Sequence, residues 1–204
     1  SFPANTPTAG SNGKIFGVTS WDGTFGSGTL YEYDPLSGIF TKKFDFSDAP
    51  DGANADATML LASDGYIYGT TLRGGEYQDG VIYRIDPDNL AYEKLFSFEG
   101  DYSGRYPEHG LIEANDGMLY GTSSNGPAGK GLLFSFNPLT LDFSALHEFD
   151  ETASGSGPNG RLLQANNGKL YGVAFSGGIH SRGTLFEYDI ASSGFTKLYD
   201  FEGE

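Results

Sequence analysis

Three separate signals in this sequence recur with one spacing, and that shared period restricts the chain to a repeat architecture. The first is an aromatic residue followed by glycine: Phe16-Gly17, Tyr68-Gly69, Tyr120-Gly121 and Tyr171-Gly172. The second is a glycine that opens a strand, at Gly28, Gly80, Gly131 and Gly183. The third is Phe46, Phe98, Phe149 and Phe201. Each series advances by 51 or 52 residues. The units run approximately over 6–57, 58–109, 110–160 and 161–204, and together they read as one repeat domain.

Every unit reads as four strands, a to d. Strand a is short and apolar, as in Met59-Leu60-Leu61-Ala62, Leu111-Ile112-Glu113-Ala114 and Leu162-Leu163-Gln164-Ala165. In the first unit its counterpart, Pro7 to Asn12, lacks the paired leucines. Asp64-Gly65, Asp116-Gly117 and Asn167-Gly168 follow strand a and predict tight type I′ hairpins, in which both central residues take positive φ. Strands c and d alternate with period two, as in Leu185-Phe186-Glu187-Tyr188 and Phe195-Thr196-Lys197-Leu198-Tyr199. Asp34-Pro35, Asp86-Pro87 and Asn137-Pro138 close strand c, because proline cannot continue a ladder. No amphipathic helix is visible. Four strands in about 51 residues, repeated four times, predict an all-β chain of β-propeller blades. Blades bury their faces by stacking, and the aromatics of strands c and d are placed to do so. The glycine after the strand-b aromatic marks a close backbone approach or a bend.

The repeat also resembles a known family. Ile67-Tyr68-Gly69-Thr70-Thr71, Gly74-Gly75, Gly80-Val81-Ile82-Tyr83 and Leu95-Phe96-Ser97-Phe98-Glu99-Gly100 are similar to the bacterial GloVer tandem repeat. The fourth unit carries the same marks in Leu170-Tyr171-Gly172, Gly177-Gly178, Gly183-Thr184-Leu185-Phe186 and Leu198-Tyr199-Asp200-Phe201-Glu202-Gly203. Units one and three depart, with Trp21-Asp22-Gly23 and Asn125-Gly126-Pro127 in place of the glycine doublet. The layout is similar to Kelch blades. The resemblance implies an exported, surface-associated, propeller-like protein with varied anchors, and it brings no catalytic residue.

Composition narrows the partners. A net charge of −15 repels phosphate backbones and anionic lipid, which argues against nucleic acid and membranes. The chain has no cysteine, so thiolate catalysis, disulfides and cysteine-based zinc sites are excluded. No apolar run is long enough to span a bilayer. No signal peptide is read at Ser1, so a mature product, a fragment and a cytosolic protein all stay open on the residues alone.

The long connections d–a and b–c share one face of such a blade, and variable loops on a rigid frame are where binding usually resides. Trp21, Asp22, Arg73, Tyr77, Tyr106, His180 and Arg182 lie there and are the ligand-binding candidates. Aromatic rings beside carboxylates and amides suit a glycan, and aromatic packing at the blade ends is the rival reading for Trp21 and Tyr106. Asp48, Asp51 and Asp56 make an oxygen-rich loop that suggests calcium, although the spacing matches no EF-hand and Asp51-Gly52 also suits a plain turn. His109, His147 and His180 show no metal spacing. Ser154-Gly155-Ser156-Gly157 reads as a flexible loop, without the context of a nucleophile elbow.

No catalytic residue is singled out. The leading expectation is therefore a non-catalytic extracellular scaffold or binding module. A carbohydrate-active hydrolase or lyase, or a lectin, is the alternative. No strand is left to complete a further blade across the termini. The options are a closed four-blade ring, a two-chain eight-blade ring, part of a longer ring, or a filament, and the reading leans towards self-association.

Overall fold

The computed structural model describes residues 3–203. Its strands fall into four antiparallel four-stranded sheets, each in simple chain order. The first contains β1 (Pro3–Ala9), β2 (Ile15–Thr19), β3 (Thr29–Asp34) and β4 (Ile39–Asp45). The second contains β5 (Leu60–Leu61), β6 (Ile67–Thr71), β7 (Val81–Ile85) and β8 (Tyr92–Ser97). The third contains β9 (Ile112–Glu113), β10 (Leu119–Ser123), β11 (Leu132–Phe136) and β12 (Phe143–Glu148). The fourth contains β13 (Ser156–Gln164), β14 (Leu170–Ser176), β15 (Thr184–Asp189) and β16 (Gly194–Asp200). A single helical turn, α1 (Gly100–Ser103), lies outside the sheets. One blade per predicted unit is what the period requires, and the chain is an all-β propeller fold of four blades.

Several local expectations change. Strand a of the first unit is β1, which begins earlier than the Pro7–Asn12 segment. Strand a of the fourth unit absorbs Ser156 and Gly157, so the second half of the predicted flexible loop is part of a sheet. Its neighbour Ser154 is buried, and its carbonyl accepts the Thr184 hydroxyl at 2.7 Å. The a–b turns are not type I′. Gly65, Gly117 and Gly168 have positive φ, whereas Asp64, Asp116 and Asn167 do not. The Gly65 amide donates to the Ala62 carbonyl at 3.0 Å, and Ala62 donates to Tyr66 at 3.0 Å. This is the three-residue hairpin, a type I turn followed by a glycine bulge.

Strand register explains the aromatic–glycine repeat. Gly17 lies opposite Tyr31, Gly69 opposite Tyr83, Gly121 opposite Phe134 and Gly172 opposite Phe186. The strand-c ring folds across the glycine it faces. A Cβ on Gly69 would overlap the Tyr83 ring, and one on Gly172 would overlap the Phe186 ring. Strand d is bulged at the same place in all four blades, just before this aromatic. A bulge there bends the strand and increases its twist.

The chain divides into two compact units of two blades each. The first holds β1–β8 with Tyr106–Leu111, and the second holds Gly100–Arg105 with β9–β16. In the first, Phe16, Val18, Leu30 and Phe46 from one sheet pack on Ile67, Val81, Tyr83 and Ile85 from the next. Phe44 stacks on Tyr92 at 4.3 Å, and Phe46 meets Tyr83 and Tyr92 edge-on at 5.6 and 5.9 Å. In the second, Ile112, Tyr120, Leu133 and Phe149 pack on Leu162, Leu170, Phe186 and Tyr188. Here His147 stacks on Phe195 at 3.5 Å, and Phe149 meets Phe186 at 5.1 Å and Phe195 at 5.6 Å. Burial holds the His147 ring below the ordinary histidine pKa, against the opposing pull of Asp150 and Glu148. Within each unit the first blade thus offers its front face to the back face of the second.

Two polar atoms in these cores lack a hydrogen-bond partner among the described residues, Nε2 of His147 and the hydroxyl of Tyr83. The Tyr83 hydroxyl is fully buried and makes no hydrogen bond among the described residues. Burial alone pushes its phenol pKa well above the ordinary value. The equivalent positions in the second unit are Phe134 and Phe186. Tyr83→Phe is therefore expected to raise unfolding free energy by about 1 kcal/mol, because an unmade buried hydrogen bond costs roughly 1–3 kcal/mol. Urea titration of the two proteins checks this.

Candidate ligand-binding site on the loop face

The loop face is held by a main-chain clasp that repeats with the blades. In the first unit the segment after β4 runs between two b–c loops. Ala53 and Arg73 exchange backbone hydrogen bonds at 2.7 and 3.0 Å. The Asn54 amide donates to Ser27 at 3.0 Å, its side chain donates to the Ser20 carbonyl at 2.9 Å, and its carbonyl accepts from Leu72 at 2.9 Å. The same position recurs as Tyr106, whose amide donates to Asp79 at 3.1 Å, and as Gly157, whose amide donates to Lys130 at 2.7 Å. All three have positive φ, at 56°, 62° and 62°. Asn is among the residues that tolerate this region, Gly is free in it, and Tyr is strained there.

The clasp shapes a hollow of about 210 Å³ lined by Trp21, Gly26, Ser27, Asp48, Ala53, Asn54, Arg73 and Gln78. Trp21 is 57% exposed, and Asp48, Arg73 and Gln78 are also exposed. Positive φ at Asp48 and Gln78 sets the backbone around the rim. Arg73 lies over the Tyr106 ring at 5.6 Å, a cation–π contact that restrains the guanidinium. The hollow therefore offers an indole, a carboxylate, a guanidinium and the Gln78 amide, with the buried Asn54 amide bound to Ser20 in its wall.

Of the residues expected to bind ligand, Trp21 and Arg73 line this hollow, and Tyr106 touches Arg73. Asp22 does not join them. It lines a separate hollow of about 320 Å³ with Thr19, Gly23, Thr29, Phe40 and Lys42, on the sheet side of the first blade. Tyr77 lines neither, and the carboxylates of Glu76 and then Glu99 push its phenol pKa up. His180 and Arg182 belong to the second unit, where His180 faces Glu202 at 3.6 Å. Asn54 and Gln78 join the hollow without having stood out in the sequence. Asn54 is a turn-type residue, but its role depends on a long-range backbone crossing that leaves no sequence pattern.

The acidic loop is used for structure. Asp48 and Gly52 exchange backbone hydrogen bonds at 3.1 and 2.6 Å. The Asp51 carboxylate accepts the Ser47 hydroxyl at 2.5 Å, and its carbonyl accepts the Tyr92 hydroxyl at 2.5 Å. One oxygen of Asp56 is buried without a hydrogen-bond partner among the described residues. Among the described residues no group of three or more His, Cys, Asp or Glu side chains is arranged to hold a metal, so Asp48, Asp51 and Asp56 do not converge.

Hollows also open at the a–b turns. One, of about 220 Å³, has Asp64 and Asp86 on its wall. Those carboxylates are occupied: Asp64 accepts the Tyr66 amide and the Tyr68 hydroxyl, and Asp86 accepts the Asp88 amide and the Asn89 side chain. The exposed donors and acceptors around Trp21 make the loop-face hollow the stronger candidate. No described helix is long and apolar enough to cross a membrane.

The sheets, the bulged strand d and the blade-on-blade packing define a repeat-built β-propeller protein. Its sequence matches the Gloeobacter/Verrucomicrobia repeat over residues 3–204, and the chain belongs to that family. No curated protein matches it. Among solved structures it is similar to the extracellular domain assigned to a hybrid two component system of B. thetaiotaomicron, BT4673. There the TM-score is 0.62 at 16% identity, over 92% of this chain and 21% of that one. The corresponding domain of BT3049 from the same organism gives a TM-score of 0.61 at 15% identity, over 97% and 22%. TolB from Acinetobacter baumannii gives 0.60 at 19% identity, over 97% and 43%. The chain thus spans about a fifth to two-fifths of the structures it matches, and these likenesses concern the fold.

Proposed function

We propose that this chain is a non-catalytic, extracellular binding module that takes a glycan in the Trp21–Arg73 hollow. One observation carries the reading: an exposed indole shares a small hollow with Asp48, Asn54, Arg73 and Gln78. An aromatic face beside fixed hydrogen-bonding groups suits a sugar ring, which is apolar on its C–H face and polar at its rim. The repeat family and the extracellular origin of two similar structures support an exported binding role.

Trp21 is the only tryptophan in the chain, so its fluorescence reports on the hollow directly. A saccharide that binds on a glycan array should shift Trp21 emission to the blue and protect it from acrylamide quenching. Arg73→Ala should weaken that saccharide by roughly tenfold or more, the scale of one lost charged hydrogen bond. Binding without any change in Trp21 emission, or turnover of the saccharide, would overturn the reading.

A further inference from the structure

Arg73 carries a charge that the described residues leave unmatched. Most lysines and arginines of this acidic chain sit against a carboxylate, as Lys42 does on Asp45, Arg84 on Glu93 and Lys130 on Glu151. The Arg73 guanidinium makes no ion pair and no hydrogen bond among the described residues, and lies over the Tyr106 ring instead. Asp48 lines the same hollow without pairing with it, and the Asp48 carboxylate likewise accepts no hydrogen bond among the described residues. Two opposite charges thus face one small space without meeting.

Tyr106 is an odd residue for its place. Its φ is 62°, at the clasp position that Asn54 and Gly157 fill in the other repeats. Asparagine and glycine suit that backbone and tyrosine is strained in it, so what tyrosine adds is its ring. The ring lies half-buried beneath Arg73. Strained residues persist where the surroundings over-determine them, and they cluster at ligand clamps. A cation–π contact restrains the guanidinium without spending its N–H donors.

Resting on the glycan reading of this hollow, we infer that Arg73 selects a sugar bearing a carboxylate, a uronic acid residue, and that Tyr106 is the positioning residue that presets it. A planar guanidinium grips a planar carboxylate through two parallel N–H···O bonds, which a neutral sugar cannot accept in the same way. A uronate also brings hydroxyls for Asp48 and Gln78 and a C–H face for Trp21. A hollow of about 210 Å³ is smaller than the roughly 300–1,000 Å³ of sites for drug-sized ligands, so it holds one residue of a glycan. The net charge of −15 opposes an anion at long range. Charges farther than about 8 Å are largely screened at physiological salt, so contact with Arg73 decides.

The test uses pairs of oligosaccharides that differ only in the carboxyl group. Oligogalacturonate, oligoglucuronate and oligomannuronate are each titrated against their carboxyl-reduced counterparts, with Trp21 emission as the signal. In at least one pair the uronate should bind about tenfold or more tighter, the scale of a hydrogen bond to a charged group. Arg73→Ala should bring that ratio close to one, and Arg73→Lys, which keeps the charge but not the fork, should restore it only in part. Tyr106→Asn, whose side chain suits the backbone, should weaken the uronate severalfold, and Tyr106→Phe should restore it. Far-UV circular dichroism establishes that each variant is folded. Equal binding within every pair, a ratio that survives Arg73→Ala, or tighter binding of a sulfated galactan than of any uronate would overturn the inference while the glycan reading stands. Undiminished binding by Tyr106→Asn would overturn the role of Tyr106. If no sugar, neutral or acidic, moves Trp21 emission, the glycan reading falls and the inference falls with it.

Discussion

Phe149→Ala is expected to lower the unfolding free energy of the second unit by about 3–5 kcal/mol, the range for removing a fully buried phenylalanine. The ring is completely buried and sits among His147, Phe186 and Phe195. All three belong to regular strands whose hydrogen bonds hold them in place, so the cavity cannot collapse easily. The Phe149 amide still donates to the Gly131 carbonyl at 3.0 Å, which leaves the backbone of the blade intact. The loss is therefore of packing between blades rather than of a strand. Leu36→Ala is the control. Leu36 is 98% exposed, and its replacement should move the urea midpoint by no more than the equivalent of about 0.5 kcal/mol.

The second large effect comes from adding a single carbon. Gly69→Ala should cost about 3 kcal/mol, the upper part of the range for overpacking a close-packed core. The new methyl would overlap both the ring carbon and the oxygen at the end of Tyr83, which is fully buried and has no free space to enter. Gly69 is not a positive-φ residue, so the cost is steric rather than conformational. Gly65→Ala separates the two causes. Gly65 has φ of 88°, and no atom lies within 4 Å of the point where a Cβ would stand. Its replacement should cost only the roughly 1–2 kcal/mol of a left-handed residue. A double-mutant cycle with Tyr83→Ala decides the matter. The Gly69→Ala penalty should largely vanish once the ring is gone.

The blade count, strand order and buried face of each strand are legible in the sequence because they rest on side chains. Period-two aromatics mark the faces, and the aromatic–glycine pairs mark the close approach. What the sequence conceals rests on the main chain. Asn54, Tyr106 and Gly157 share a conformation and a hydrogen-bond role but no side-chain chemistry. The a–b hairpins depart from the type I′ expectation because Asp-Gly fits both that turn and a type I turn with a glycine bulge. At the candidate site, Trp21 and Arg73 are identifiable as loop residues on one face. Their neighbour Asp22 is not separable from Trp21 by sequence, because adjacent residues in a turn diverge in directions that only the folded backbone sets. His180 and Arg182 are equivalent to Arg73 in being b–c loop residues, yet they lie in the other compact unit.

The stitched segment between β4 and β5 changes where one repeat should be taken to end. A cut there before Asn54, the obvious joint between sheets, would sever its bonds to Ser20 and Ser27. A cut in the a–b hairpin at Asp64-Gly65 would keep Asn54 together with Ser20 and Ser27, and would leave the bond from Leu72, the Ala53–Arg73 pair and the two-residue β5 across the joint. The exchangeable cassette is thus three long strands followed by the clasp and the first short strand of the next sheet. Gene duplication or blade shuffling that respects this frame would carry its own fastening to whatever sheet it joins.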